Sequence, residues 1–152
     1  MYISTKVLEL GSCAFRQWKA AEGREAGDNS SRCSKVHGYR LMAKFWFGCK
    51  GLDDRNWCVD FGGLGKIKAL LKQQFDHTLL IAVDDPLLPL FQQLHDSDGC
   101  DLRIMNAVGI ERTAEWCYEN IDPIIKEMTV SRCWLEKVEV WEHTENSAIY
   151  QP

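Results

Sequence analysis

The chain has 152 residues, 45% of them apolar and 26% charged, with a net charge of −4; this predicts one globular domain, residues 1–152, with a core that needs no staples. An acidic balance argues against a general nucleic-acid binder, which carries a basic face, and no apolar run approaches the roughly 20 residues that span a bilayer. Seven cysteines, at 13, 33, 49, 58, 100, 117 and 133, are odd in number and never at C-x-x-C spacing; with no basic and then apolar opening at Met1–Lys6, they predict reduced thiols in a cytoplasmic protein.

Residues 2–18 read as a strand region. Residues 19–35 are small and polar and read as a long loop, of the kind that is functional or disordered in compact domains. Residues 39–49 alternate, with Leu41, Ala43, Phe45 and Phe47 on one parity, and predict a half-buried strand. Asp53-Asp54-Arg55-Asn56 is a turn signal, so Trp57–Phe61 is expected to return as the second strand of a hairpin. Leu64, Ile67, Leu70, Leu71 and Phe75 predict a helix over 63–75. Pro86 and Pro89 break the chain after Leu79-Leu80-Ile81, and 95–101 read as a polar loop. A short strand is expected at 102–105. Thr113 is placed as the N-cap of a helix running to about Met128, with Pro123 a source of a kink. Residues 134–142 alternate again, and 147–150 predict a final strand. The order implies an α+β domain with helices on one face of a mostly antiparallel sheet.

Four places could carry chemistry. Cys33 and His37 stand four residues apart where the polar loop enters a strand, a spacing that suits an activated thiol or half of a metal site; a buried thiol and a hydrogen-bonded imidazole fit it too. Asp76-His77 sets a carboxylate beside an imidazole it could orient, although adjacent side chains usually point apart. Glu142 shares parity with Val138 and Val140, so it projects from their face unless the strand ends first; there it needs a partner or a ligand bearing N–H donors. Gly62-Gly63-Leu64-Gly65-Lys66 suggests a phosphate loop but lacks the early Gly and the closing Ser or Thr, and is rejected.

In order and spacing, Cys33-Ser34-Lys35-Val36-His37-Gly38-Tyr39, Val59-Asp60-Phe61, Asp76-His77-Thr78-Leu79-Leu80, Thr113-Ala114-Glu115 and Val140-Trp141-Glu142-His143 resemble the 6-pyruvoyl/6-carboxytetrahydropterin synthases over nearly the whole chain. The resemblance implies the tunnelling fold: a four-stranded antiparallel sheet with two helices on one face, joined with other subunits into a barrel as a trimer or hexamer. It implies a lyase acting on 7,8-dihydroneopterin triphosphate, giving 6-pyruvoyltetrahydropterin, or 6-carboxytetrahydropterin on the queuosine route. Cys33 matches the family's catalytic thiol, Asp76 and His77 its proton-relay pair, Glu142 the carboxylate that anchors the pterin, and Thr113 a residue of the pterin pocket. The family holds zinc on three His. Here His37 matches one, while Arg16 and Tyr39 stand at the other two positions, so one ligand of three is kept. Arg16 as a fixed cation, or Cys13, His95 or His143 in a rearranged site, are the substitutes that remain. The same resemblance admits a non-catalytic pterin- or purine-binding paralogue.

Overall fold

A computed structural model describes residues 1–22 and 29–152; the predicted loop at 19–35 therefore falls partly outside the described residues. Its described flanks are 3-10 turns at Trp18–Ala21 and Asn29–Ser34.

The elements are β1 (Tyr2–Phe15), β2 (His37–Cys49), α1 (Gly65–Phe75), β3 (Thr78–Ala82), α2 (Leu88–Asp96), β4 (Leu102–Met105), α3 (Ile110–Met128), β5 (Cys133–His143) and β6 (Asn146–Tyr150). They build one six-stranded sheet in the order β4-β3-β1-β2-β5-β6. Pairs β1–β2, β2–β5 and β5–β6 are antiparallel. This accounts for the four antiparallel strands expected, but β3 and β4 extend the sheet through parallel pairing, and the sheet is mixed.

The expected hairpin partner at 57–61 is absent from the sheet. Both edges of β2 are already taken, by β1 and β5. Asp53 instead folds the segment into a turn, its Oδ1 accepting from the backbone N–H of Arg55 and Trp57, each at 2.9 Å. Cys58 and Val59 are both buried, and the Cys58 thiol donates to the Phe47 carbonyl at 3.2 Å.

Two helices on one face was also too few. Helices α1 and α3 share a core with β1, β2 and β5, formed by residues such as Phe45, Phe47, Leu71, Phe75, Ile121 and Val138. The inner face of α3 recurs every three or four residues (Ala114, Cys117, Ile121, Ile125), as a 3.6-residue period requires. Helix α2 packs on the opposite side of β3. Leu80 joins the large core, while Leu79 and Ile81 meet Phe91 of α2 in a second cluster. All five residues of β3 are therefore buried.

A bulge in β1 sets which side chains face inward. Glu9 pairs with Met42 and Gly11 with Leu41, leaving Leu10 as the extra residue. Before it Leu8 and Leu10 point into the core; after it Cys13 and Phe15 do. One inserted residue re-aims the end of the strand, the end that carries the candidate site. Among the described residues no helix is long and apolar enough to cross a membrane, and all seven cysteines are free thiols.

Candidate functional site

The most built feature is the corner between α1 and β3. Asp76 caps α1 with extended backbone. His77 follows in the left-handed region, at φ 58°, which is uncommon for a side chain with a Cβ and marks a conformation held by its surroundings. What holds it is β1: the His77 N–H donates to the Ser12 carbonyl at 2.7 Å, and the Ser12 N–H donates to Asp76 Oδ1 at 3.2 Å. His77 Nδ1–H then donates to the same Oδ1 at 2.9 Å. The neighbours that were expected to diverge thus do meet. Burial raises the Asp76 carboxyl, but hydrogen bonds from His77 and the Ser12 amide, with the charges of His77 and Lys72, outweigh it and leave the group below its ordinary value. The imidazole keeps Nε2 free and its side chain 83% exposed. An orienting carboxylate behind a wet imidazole is the arrangement a proton-transfer group needs.

His77 lines an open groove of about 680 Å³ with Ser12, Gly38, Tyr39, Leu79 and Phe91. Cys33 lines another cavity, of about 430 Å³, with Arg16, Gln17, Trp18 and Asn106. Its thiol is exposed. Glu142 lines a third, also about 430 Å³, with Gln17, Ile110, Glu111 and Asn146. Its side chain is 19% exposed and accepts from Asn146 Nδ2 at 2.8 Å. Strand β5 does continue past Trp141 to His143, so the parity argument for Glu142 has a strand to stand on. Tyr39 stands between these groups. It lines the groove of His77, and burial raises its phenol, helped by the charges of Glu142 and Cys33. Cys33, His77 and Glu142 thus line neighbouring cavities, with Gln17 shared by those of Cys33 and Glu142.

Thr113 is not an N-cap. Gly109 holds that position, and α3 begins at Ile110. The Thr113 hydroxyl donates to the Gly109 carbonyl at 2.9 Å and the residue is buried, whereas Ile110 and Glu111 of the same turn reach the cavity of Glu142.

The three positions that would hold zinc do not fit it. Arg16, permanently protonated, grips Asp85: Nε to Oδ2 at 2.6 Å and Nη2 to Oδ1 at 2.9 Å. Its charge is spent there, so Arg16 is no free cation for a substrate. His37 donates from Nδ1 to the Lys35 carbonyl at 2.7 Å, which leaves one imidazole nitrogen as a ligand. The rings of Phe15, Tyr39 and His143 form an aromatic cluster with it, Tyr39 lying 5.7 Å from His37 and 5.9 Å from His143. Of the other substitutes, Cys13 is buried, its thiol 3.7 Å from Thr78 Oγ1 and pushed by burial up to about 11, and His95 Nδ1 accepts from the Leu102 amide at 3.1 Å. Among the described residues no three His, Cys, Asp or Glu side chains converge on a point where a metal ion could sit.

Asp85 and Gln17 are the residues that motif reading passed over. The only signal was the Asp84-Asp85-Pro86 turn after β3, and nothing in it points to a partner on β1.

A family model described as 6-pyruvoyl tetrahydropterin synthase matches residues 12–152. No curated protein matches the chain. Among solved structures, an uncharacterized protein from Wolinella succinogenes superposes with a TM-score of 0.77 at 19% identity, over 99% of this chain and 97% of that one. The 6-pyruvoyl tetrahydropterin synthase of Caenorhabditis elegans gives 0.63 at 20% identity, over 100% and 97%. That of Plasmodium vivax gives 0.63 at 15% identity, over 100% and 99%. At these identities the likeness is one of fold.

Proposed function

The chain belongs to the 6-pyruvoyl tetrahydropterin synthase family, and on that premise we propose that it is a pterin-metabolising lyase of the 6-pyruvoyl- or 6-carboxytetrahydropterin synthase type, acting in the cytoplasm on 7,8-dihydroneopterin triphosphate or a related pterin. The observation that carries the proposal is the Asp76–His77 pair: an exposed imidazole, oriented through a 2.9 Å hydrogen bond and held at a positive φ. In this reading Cys33 removes a proton from the pterin side chain, His77 with Asp76 behind it relays one, and Glu142 accepts N–H donors from the pterin ring edge. No step is assigned to a metal. Replacing His77 by Gln keeps the size of the side chain and removes the titrating group. Turnover should fall by about 10²–10⁴-fold while pterin binding persists. Full activity in His77→Gln sinks the assignment.

The resemblance to the synthase family carries with it subunits joined into a trimer or hexamer. The proposal therefore includes an assembly in which a neighbouring copy brings its His77 or Glu142 to Cys33. Equilibrium sedimentation should give a multiple of the 17.5 kDa chain mass; a monomer at working concentration contradicts this part.

A second reading has one observation in its favour. Arg16 is neutralised by Asp85 and Tyr39 stands in place of an imidazole, so two of the three positions that the resemblance assigns to zinc offer no imidazole ligand here. A pterin- or purine-binding paralogue without turnover fits that, and it predicts binding that depends on Glu142 with no product formed.

A further inference from the structure

The two residues that follow β1, Arg16 and Gln17, grip the Cys33 segment at two consecutive residues. The Gln17 N–H donates to the Cys33 carbonyl at 2.9 Å, and Arg16 Nη1 donates to the Ser34 carbonyl at 3.1 Å. Arg16 can do this because its other two guanidinium nitrogens, Nε and Nη2, are fixed on Asp85. Asp85 is in turn fixed: its side chain has no exposure, and its Oδ1 also accepts from the Leu87 N–H at 2.8 Å, at the entry to α2. A buried carboxylate is costly without a partner, and a planar bidentate guanidinium is the partner that both neutralises it and fixes its direction. The result is a rigid fork joining β1, the turn before α2 and the backbone of Cys33-Ser34.

We propose that Arg16 is a positioning residue for Cys33, acting with Asp85 as an ion-pair latch that holds the thiol segment at the sheet end. The latch rests on the reading of Cys33 as the base, but its geometry is tested without that reading. Two variants separate its parts. In Arg16→Lys the charge stays, yet one ammonium cannot reproduce the fork toward Asp85 and Ser34 together. In Asp85→Asn the shape stays, yet the amide turns a donor toward the guanidinium.

The readouts are amide hydrogen exchange at Gln17, resolved by NMR, and steady-state conversion of 7,8-dihydroneopterin triphosphate. In both variants the Gln17 amide should exchange roughly tenfold faster, while the amides of β2 and β5 keep their protection, which shows local release rather than unfolding. The kcat should fall on the order of 10²-fold for a displaced base, with KM changed by less than about twofold. Unchanged exchange at Gln17 overturns the latch. Faster exchange with kcat intact also overturns it, because the contact would then be structural only. If the unaltered protein converts no pterin, the lyase reading fails separately, and Gln17 exchange alone decides whether the latch exists.

Discussion

Gly11 carries a φ of +117° in the β1 bulge. A Cβ there would lie 2.7 Å from the Cα of Asp76, so the absence of a side chain lets the α1–β3 corner close onto β1. Gly11→Ala combines left-handed backbone strain with a clash against main chain, and it should cost about 2–4 kcal/mol. Its effect should not stop at stability. Displacing Asp76 breaks the hydrogen bonds to the Ser12 amide and to His77, so activity per folded molecule should fall as well. Urea unfolding measures the first effect and turnover of the purified fraction the second. Stability and activity both unchanged would mean that the bulge does not support the corner. The contrast with Asp85 shows what a sequence reveals at this scale. Cys33, His37, Asp76, His77 and Glu142 were legible because each lies in a short motif of distinctive residue types. Asp85 was not, because its meaning comes from Arg16, 69 residues away, and no local pattern encodes a partner at that range. Thr113 was misplaced for a related reason: a hydroxyl before an apolar run looks like a cap, but tertiary packing lets α3 start at Ile110 behind Gly109.

Elements with long periodic patterns were legible, as were the short strands at 102–105 and 147–150, whereas α2 was not. Helix α1, the long antiparallel strands and most of α3 follow from alternation or from the 3.6-residue period. Helix α2 was hidden by Pro86 and Pro89, which read as breaks. Pro89 in fact lies in the first turn of α2, where its missing N–H costs nothing. The false strand at 57–61 has the opposite origin, since β-prone residues fold into a turn once β2 has no free edge. Helix α2 buries one residue, Phe91, against Leu79 and Ile81. That dependence is testable. Phe91→Ala should cost about 3 kcal/mol in urea unfolding, and hydrogen exchange across Leu88–Asp96 should rise more than in α1 or α3. Uniform loss of protection across the sheet would mean that α2 is integral to the main core rather than docked on β3.

At the scale of the whole molecule, the mixed sheet ends in β4 on one side and β6 on the other, with Ile104 and Ile149 exposed on these edges. Open edges of this kind call for cover or closure. Fold class and the antiparallel part of the sheet were readable from element order; the pairing of β3 and β4 was not, because parallel pairing leaves no turn signal in the sequence. The fate of the metal positions was half legible. That Arg16 and Tyr39 stand where the resemblance expects zinc ligands was visible, but that Arg16 is engaged by Asp85 was not. The account therefore stands on one measurement: the purified protein is incubated with 7,8-dihydroneopterin triphosphate, with added zinc and separately with chelator, and products are followed by mass. The account predicts conversion that persists in the chelator. No conversion in either condition, or conversion only with zinc, would contradict it.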